Sequence, residues 1–111
     1  MGDKNMTVTE WMLNSGASDH FTGDINDFVE YETLSKPTVV HTANAQTSVV
    51  GKGTVVLQIK NKVIHPILYI PDLTTRLFSL GQFHVAGLHS RGSAKEISVH
   101  EGDEEFLTFY P

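Results

Sequence analysis

Short β-branched and aromatic runs, each cut off within about a dozen residues by Gly, Pro, Asn or Asp, direct this chain towards strands. Thr7–Leu13 (TVTEWML) predicts a strand running into a small polar loop. Residues 20–36 mix turn formers with Phe21, Ile25, Phe28 and Tyr31, and predict a loop with one short helical turn. Thr38–Thr42 predicts a strand, Ala43–Ser48 a hairpin tip, and Val49–Ile59 a second strand with Gly51 and Gly53 as bend points. Asn61 marks a tight turn before a strand over Val63–Ile70, which Pro71-Asp72 ends. Gly81–Ala86 is the best helical candidate, about two turns long, with Gly87 placed to close it. Glu96–His100 and Glu105–Tyr110 flank a turn at Glu101-Gly102-Asp103 and predict a terminal hairpin. Many short strands with turns between them imply an all-β barrel or sandwich, in one domain over residues 1–111.

Charge and composition remove several functions. The net charge is −5 and the eight Lys and Arg residues are scattered, so a nucleic-acid partner is not expected. No apolar run approaches the ~18 residues of a membrane span, and the first ten residues hold no apolar signal core. Cysteine is absent, which removes disulfide and thiolate chemistry and fits an intracellular, cytoplasmic setting. The six histidines show no close sequence pair beyond His84 and His89, so no metal site is expected. Gly51-Lys52-Gly53 lies inside a strand and is no phosphate loop, and no cofactor is expected.

The stretch Leu13-Asn14-Ser15-Gly16-Ala17-Ser18 turns abruptly from apolar to small and polar. A carboxylate in such a strand-to-loop turn, followed by a hydroxyl and a glycine, has a clear use. The turn projects the acid, the hydroxyl braces it, and the glycine lets backbone pass close to the reacting centre. Two such acids brought together share one proton. One activates water while the other protonates a scissile carbonyl. Here the acid position holds Asn14, which has nearly the shape of Asp and no titratable proton. Alone, Asn14 also reads as an ordinary turn asparagine. Ser15 lacks the G-x-S-x-G frame of a serine nucleophile.

Trp11-Met12-Leu13-Asn14-Ser15-Gly16-Ala17-Ser18-Asp19-His20 resembles the W-[apolar]-[apolar]-D-S-G-A-S-x-H pattern of copia-type retrotransposon proteases, relatives of the retroviral aspartic proteases. The resemblance continues in order through Phe21–Asp24, Thr42–Ala45, Val50–Val55, Ile67–Leu73 and Leu77–Phe83, and covers residues 11 to about 88. It implies a retropepsin-like closed barrel protomer with a flap hairpin, and an aspartic endopeptidase that processes its own polyprotein. Asn14-Ser15-Gly16 match the catalytic triplet, and residues 39–50 match the flap. Ala17 and Ser18, with His41, Thr42, Ala43, Asn44, Ala45 and Gln46 of the flap, would meet an extended peptide substrate. Leu80-Gly81 match the apolar-glycine step beneath the catalytic loop. Ser18 and Gln82 stand where retroviral relatives pair an acid with an arginine near the dimer interface, so that bridge is not expected.

No Asp of the chain is followed by Ser-Gly or Thr-Gly, so one chain supplies one loop, at Asn14, and a C2 homodimer is implied. Only 13 residues precede Asn14, too few for the two N-terminal strands of the retroviral enzymes. The hairpin at 96–110, with Phe106, Leu107 and Phe109, is therefore the candidate for the interface strands. The same hairpin packing on its own monomer is the alternative. Two origins are open for Asn14, a deliberate isosteric replacement or a decayed element, and both predict essentially no hydrolysis. A catalytically silent dimeric peptide-binding module is the second reading.

Overall fold

The computed structural model describes residues 6–41, 46–93 and 95–110. Its strands are β1 (Met12–Asn14), β2 (His20–Thr22), β3 (Glu30–His41), β4 (Gln46–Val56), β5 (Val63–Tyr69), β6 (Arg76–Ser79), β7 (His89–Ser93), β8 (Glu96–Glu101) and β9 (Glu104–Phe109). The helix α1 (Leu80–Val85) follows β6 directly, and single 3-10 turns cover Val8–Glu10, Ile25–Asp27 and Ile59–Asn61. The chain is thus mostly β with one short helix, as its composition implies. The expected strand over Thr7–Leu13 divides into the first 3-10 turn and β1. The expected loop over 20–36 keeps its helical turn at Ile25–Asp27 but also contains β2 and the start of β3.

Six strands form one sheet in the order β1-β6-β2-β5-β4-β3, and three form a second in the order β7-β8-β9. This corrects the expectation of a closed barrel: β1 and β3 are the two edges of the larger sheet and do not pair with each other. The geometry explains why. β1 is only three residues long, so it cannot span a barrel wall. The β3–β4 pairing slips between Thr33 and Thr38, where Pro37 cannot donate to the ladder. Pro66 coincides with a second slip, between Gly53 and Val55 of β4 against β5. Its preceding peptide bond is cis. His65 Nδ1 lies 3.2 Å from the Gly53 carbonyl oxygen and 2.9 Å from Thr54 Oγ1, supplying a side-chain contact at the slip.

β4 continues through both of its inner glycines, and its register against β5 shifts just after Gly53. A side chain at Gly53 would strike the Glu30 carbonyl and the Phe28 ring, and one at Gly51 would strike the Tyr31 hydroxyl. The glycines therefore make room for aromatic rings laid across the strand. Alternate β4 residues Val49 and Val55 are buried in different clusters. Val55 joins the main core with Trp11, Phe28, Ile67, Phe78 and Phe83. Val49 joins a smaller one with Phe21 and Ile70, against which Ala17, Leu34 and Val40 pack.

The smaller sheet closes over the main core. Val99, Leu107 and Phe109 are buried there, and the Phe109 ring meets Phe78 edge-on at 6.0 Å. Leu107 and Phe109 are therefore packed within their own chain, the arrangement that the alternative reading of this hairpin expects. A buried carboxylate anchors the opposite end. Asp27, fully buried, accepts from Arg76 Nε at 2.7 Å, from Arg76 Nη2 at 3.0 Å and from Thr22 Oγ1 at 2.5 Å. This ties the 3-10 turn to β2 and β6. We expect Arg76→Met to destabilise the fold by about 3–5 kcal/mol, because a buried carboxylate is left unpaired. The double variant Asp27→Asn with Arg76→Met should recover part of that loss in urea unfolding.

Candidate functional site

β1 delivers Asn14 to the exposed top of the sheet. Met12, Leu13 and Asn14 pair in parallel with Leu77, Phe78 and Ser79 of β6. β2 pairs with the same strand on its other side, antiparallel, through Phe21↔Leu77 and Thr22↔Arg76. The segment 15–19 is therefore a loop whose two ends hang from one short strand. The Trp11 indole stacks on the Phe78 ring at 4.2 Å and 4°, fixing where β1 enters.

At the loop's start, Asn14 Oδ1 accepts the Gly16 N–H at 2.7 Å, a side-chain-closed turn. Asn14, Ser15 and Gly16 are exposed. A Cβ on Gly16 would lie 3.4 Å from Asn14 Oδ1, so glycine keeps this turn uncrowded. The rest of the loop is gripped from beneath. Ser79 Oγ donates to the Ala17 carbonyl at 2.7 Å, and Gln82 Nε2 donates to the Ser18 carbonyl at 2.9 Å. The Ser18 hydroxyl donates to Asp19 Oδ2 at 3.0 Å. Thus Ser18 and Gln82 are joined by an uncharged hydrogen bond.

Ser79 also caps α1. Its hydroxyl accepts the Gln82 N–H at 3.1 Å. The spacing Ser79-Leu80-Gly81-Gln82 has the form of a capping box, a signal for Ser79 that the strand and helix expectations leave unused. Gln82 departs from that pattern by sending its side chain to the loop. Leu80 opens the helix and packs against the main core, and Gly81 follows it. A Cβ on Gly81 would sit 3.6 Å from Ser79 Oγ, an ordinary contact, so space alone does not demand glycine there.

His20 completes the support, a role that its place in the sequence motif did not reveal. The Ser79 N–H donates to His20 Nδ1 at 2.9 Å, so the ring is neutral and carries its proton on Nε2. The imidazole lies between Phe78 and Phe83, with centroids at 5.3 and 4.9 Å. Burial lowers its pKa from 6.5 to about 4, and the nearby Asp19 charge opposes this only in part.

The residues expected to form a flap are less fully placed. In the β3–β4 hairpin, Val39, Val40 and His41 pair with Ser48, Thr47 and Gln46. Thr42, Ala43, Asn44 and Ala45 lie outside the described residues. The hairpin's Val40 and Val49 share the smaller core cluster with Ala17, so hairpin and loop rest on common packing. Among the described residues no group of three or more His, Cys, Asp or Glu is arranged to hold a metal ion.

The His20 geometry sets a pH dependence. The folded state resists a proton that the unfolded chain accepts below about pH 6.5. Stability from this group is complete above that value and is lost as pH falls towards about 4. We expect a loss of roughly 2 kcal/mol between pH 7 and pH 5, measured by urea unfolding, and a flatter profile for His20→Gln.

Comparison with known proteins identifies a family for the segment that carries this loop. A family described as "Pol polyprotein, beta-barrel domain" matches residues 11–88. The putative transposon Ty5-1 protein of Saccharomyces cerevisiae is 28% identical over 72 residues, covering 65% of this chain and 48% of that relative. The chain thus spans about half the length of the curated relative it matches. No solved structure matches it. Trp11 and Leu88, the ends of the matched segment, enclose the loop and every support beneath it, and the chain belongs to the Pol polyprotein beta-barrel domain family.

Proposed function

We propose that this chain is the protomer of a retrotransposon aspartic endopeptidase, with Asn14 in the seat of the catalytic acid. One observation carries the reading. An exposed Asn-Ser-Gly turn ends a strand, and uncharged groups from β2, β6 and α1 hold the loop after it. That is the support a projecting acid needs if it is to meet a second one with little freedom. The family match and the transposon relative support a polyprotein context for it.

In this reading two chains form a C2 homodimer that brings the two residue-14 side chains together. Substrate is an extended segment of the polyprotein, bound as an added strand between the loop and the β3–β4 hairpin, which acts as the flap. Ser15 braces the dyad and Gly16 keeps the backbone slim at the reacting carbonyl. The interface draws on the exposed edge of the 96–110 hairpin rather than on its buried face. Processing takes place inside the cell, where the polyprotein is made. With acids at position 14, one carboxylate takes a proton from water and the other gives one to the carbonyl oxygen. An amide does neither.

A second reading rests on Asn14 itself: a dimeric module that retains the cleft and binds peptide without cutting it. Restoring the acid separates the two. Asn14→Asp should cleave the flanking polyprotein, with a bell-shaped pH profile from the shared proton, at a rate roughly 10²–10⁴-fold or more above the Asn14 form. Uncut polyprotein with a dimeric Asn14→Asp protein would favour the silent module. A monomer in sedimentation would remove both.

A further inference from the structure

We propose that His89 and His100 form a binding site for a divalent transition-metal cation of the Zn²⁺ class on the outer face of the C-terminal sheet. The two residues are far apart in sequence but are direct register partners across β7 and β8. Their rings face each other with centroids 5.8 Å apart and planes 15° apart. His100 Nδ1 is buried and has no hydrogen-bond partner among the described residues. Buried ring nitrogens are nearly always matched, so an unmatched one beside a second imidazole calls for a partner, and a shared cation is one such partner.

The dimensions suit such a cation. An imidazole nitrogen binds zinc at about 2.0–2.1 Å, which puts each ring centre roughly 3 Å from the metal. Two rings sharing one ion in tetrahedral geometry then stand about 5 Å apart with a ring nitrogen of each aimed at it, so the two nearly parallel rings must each turn about their side-chain bonds to bind it. The surrounding charges are mixed. Strand alternation puts Arg91 on the face of His89, and Glu96 on the face of His100. Glu105 is the register partner of His100 on β9. Among the described residues no third His, Cys, Asp or Glu completes the set, so water fills the other positions. Two imidazoles select Zn²⁺, Cu²⁺ or Ni²⁺ over Mg²⁺ and Ca²⁺, which require oxygen ligands. The ion would clip β7 to β8. β7 is a polar edge strand without a buried residue of its own, so it has most to gain.

The proposal is independent of the protease reading and is tested on the untagged chain at neutral pH. Titration with ZnCl₂ in a calorimeter should show one saturable site per chain. His89→Gln and His100→Gln should each weaken it at least about tenfold, while His84→Gln leaves it unchanged. Mg²⁺ should not compete. Zinc should raise the melting temperature of the parent protein and not that of either variant. In the parent protein, imidazole resonances of His89 and His100 should shift together, a readout that needs no variant. Absence of saturable binding, binding that survives His89→Gln or His100→Gln, or shifts confined to other histidines would overturn the site.

Discussion

Everything near the loop depends on one strand being shared. β6 receives β1 in parallel on one side and β2 in antiparallel on the other. Segment 15–19 therefore starts and ends on neighbours of the same four residues. Phe78 lies in the middle of that strand and is fully buried, with Trp11, His20, Phe83 and Phe109 around its ring. Large aromatic contacts of this kind contribute well beyond area burial alone. A shift of β6 by one residue would turn Phe78 outwards and separate Ser79 from both Ala17 and His20.

The same strand ends in the groups that shape the site. Ser79 is at once the last residue of β6, the cap of α1 and a donor to the Ala17 carbonyl. Its backbone N–H uses His20 as an acceptor. At the other end of β6, Arg76 is locked by Asp27. Rigidity thus comes from a charged clamp at one end of a four-residue strand and a neutral network at the other. The neutral end is the one beneath the exposed turn.

How much of this could be read in the sequence followed from where each element gets its stability. β4, β5 and the terminal hairpin carry β-branched or aromatic residues in strand rhythm, so they are legible directly. α1 is legible from Gly87, which adopts φ 89° after the helix. β6 and β7 are not. Arg76-Leu77-Phe78-Ser79 is too short for alternation to show, and His89-Ser90-Arg91-Gly92-Ser93 has no strand-forming residue; pairing with neighbours makes both of them strands. The motif around Asn14 was legible as a turn and as a family resemblance. The partners beneath it come from residues about 60 positions away, and spacing along the chain carries no trace of such contacts. The open edge of the larger sheet was equally hidden, because closure depends on strand length and on the slips at Pro37 and Pro66.

The Gln82–Ser18 contact has a consequence for how the loop responds to its surroundings. A guanidinium–carboxylate bridge weakens with added salt and fails when its acid is protonated. An amide donating to a peptide carbonyl does neither. This one contact is therefore insensitive to ionic strength, and acidity reaches the loop through Asp19, which accepts from the Ser18 hydroxyl, and through the neighbouring imidazole. Added salt should leave the Gln82–Ser18 grip in place and act on this loop chiefly through the Asp19 carboxylate beside it.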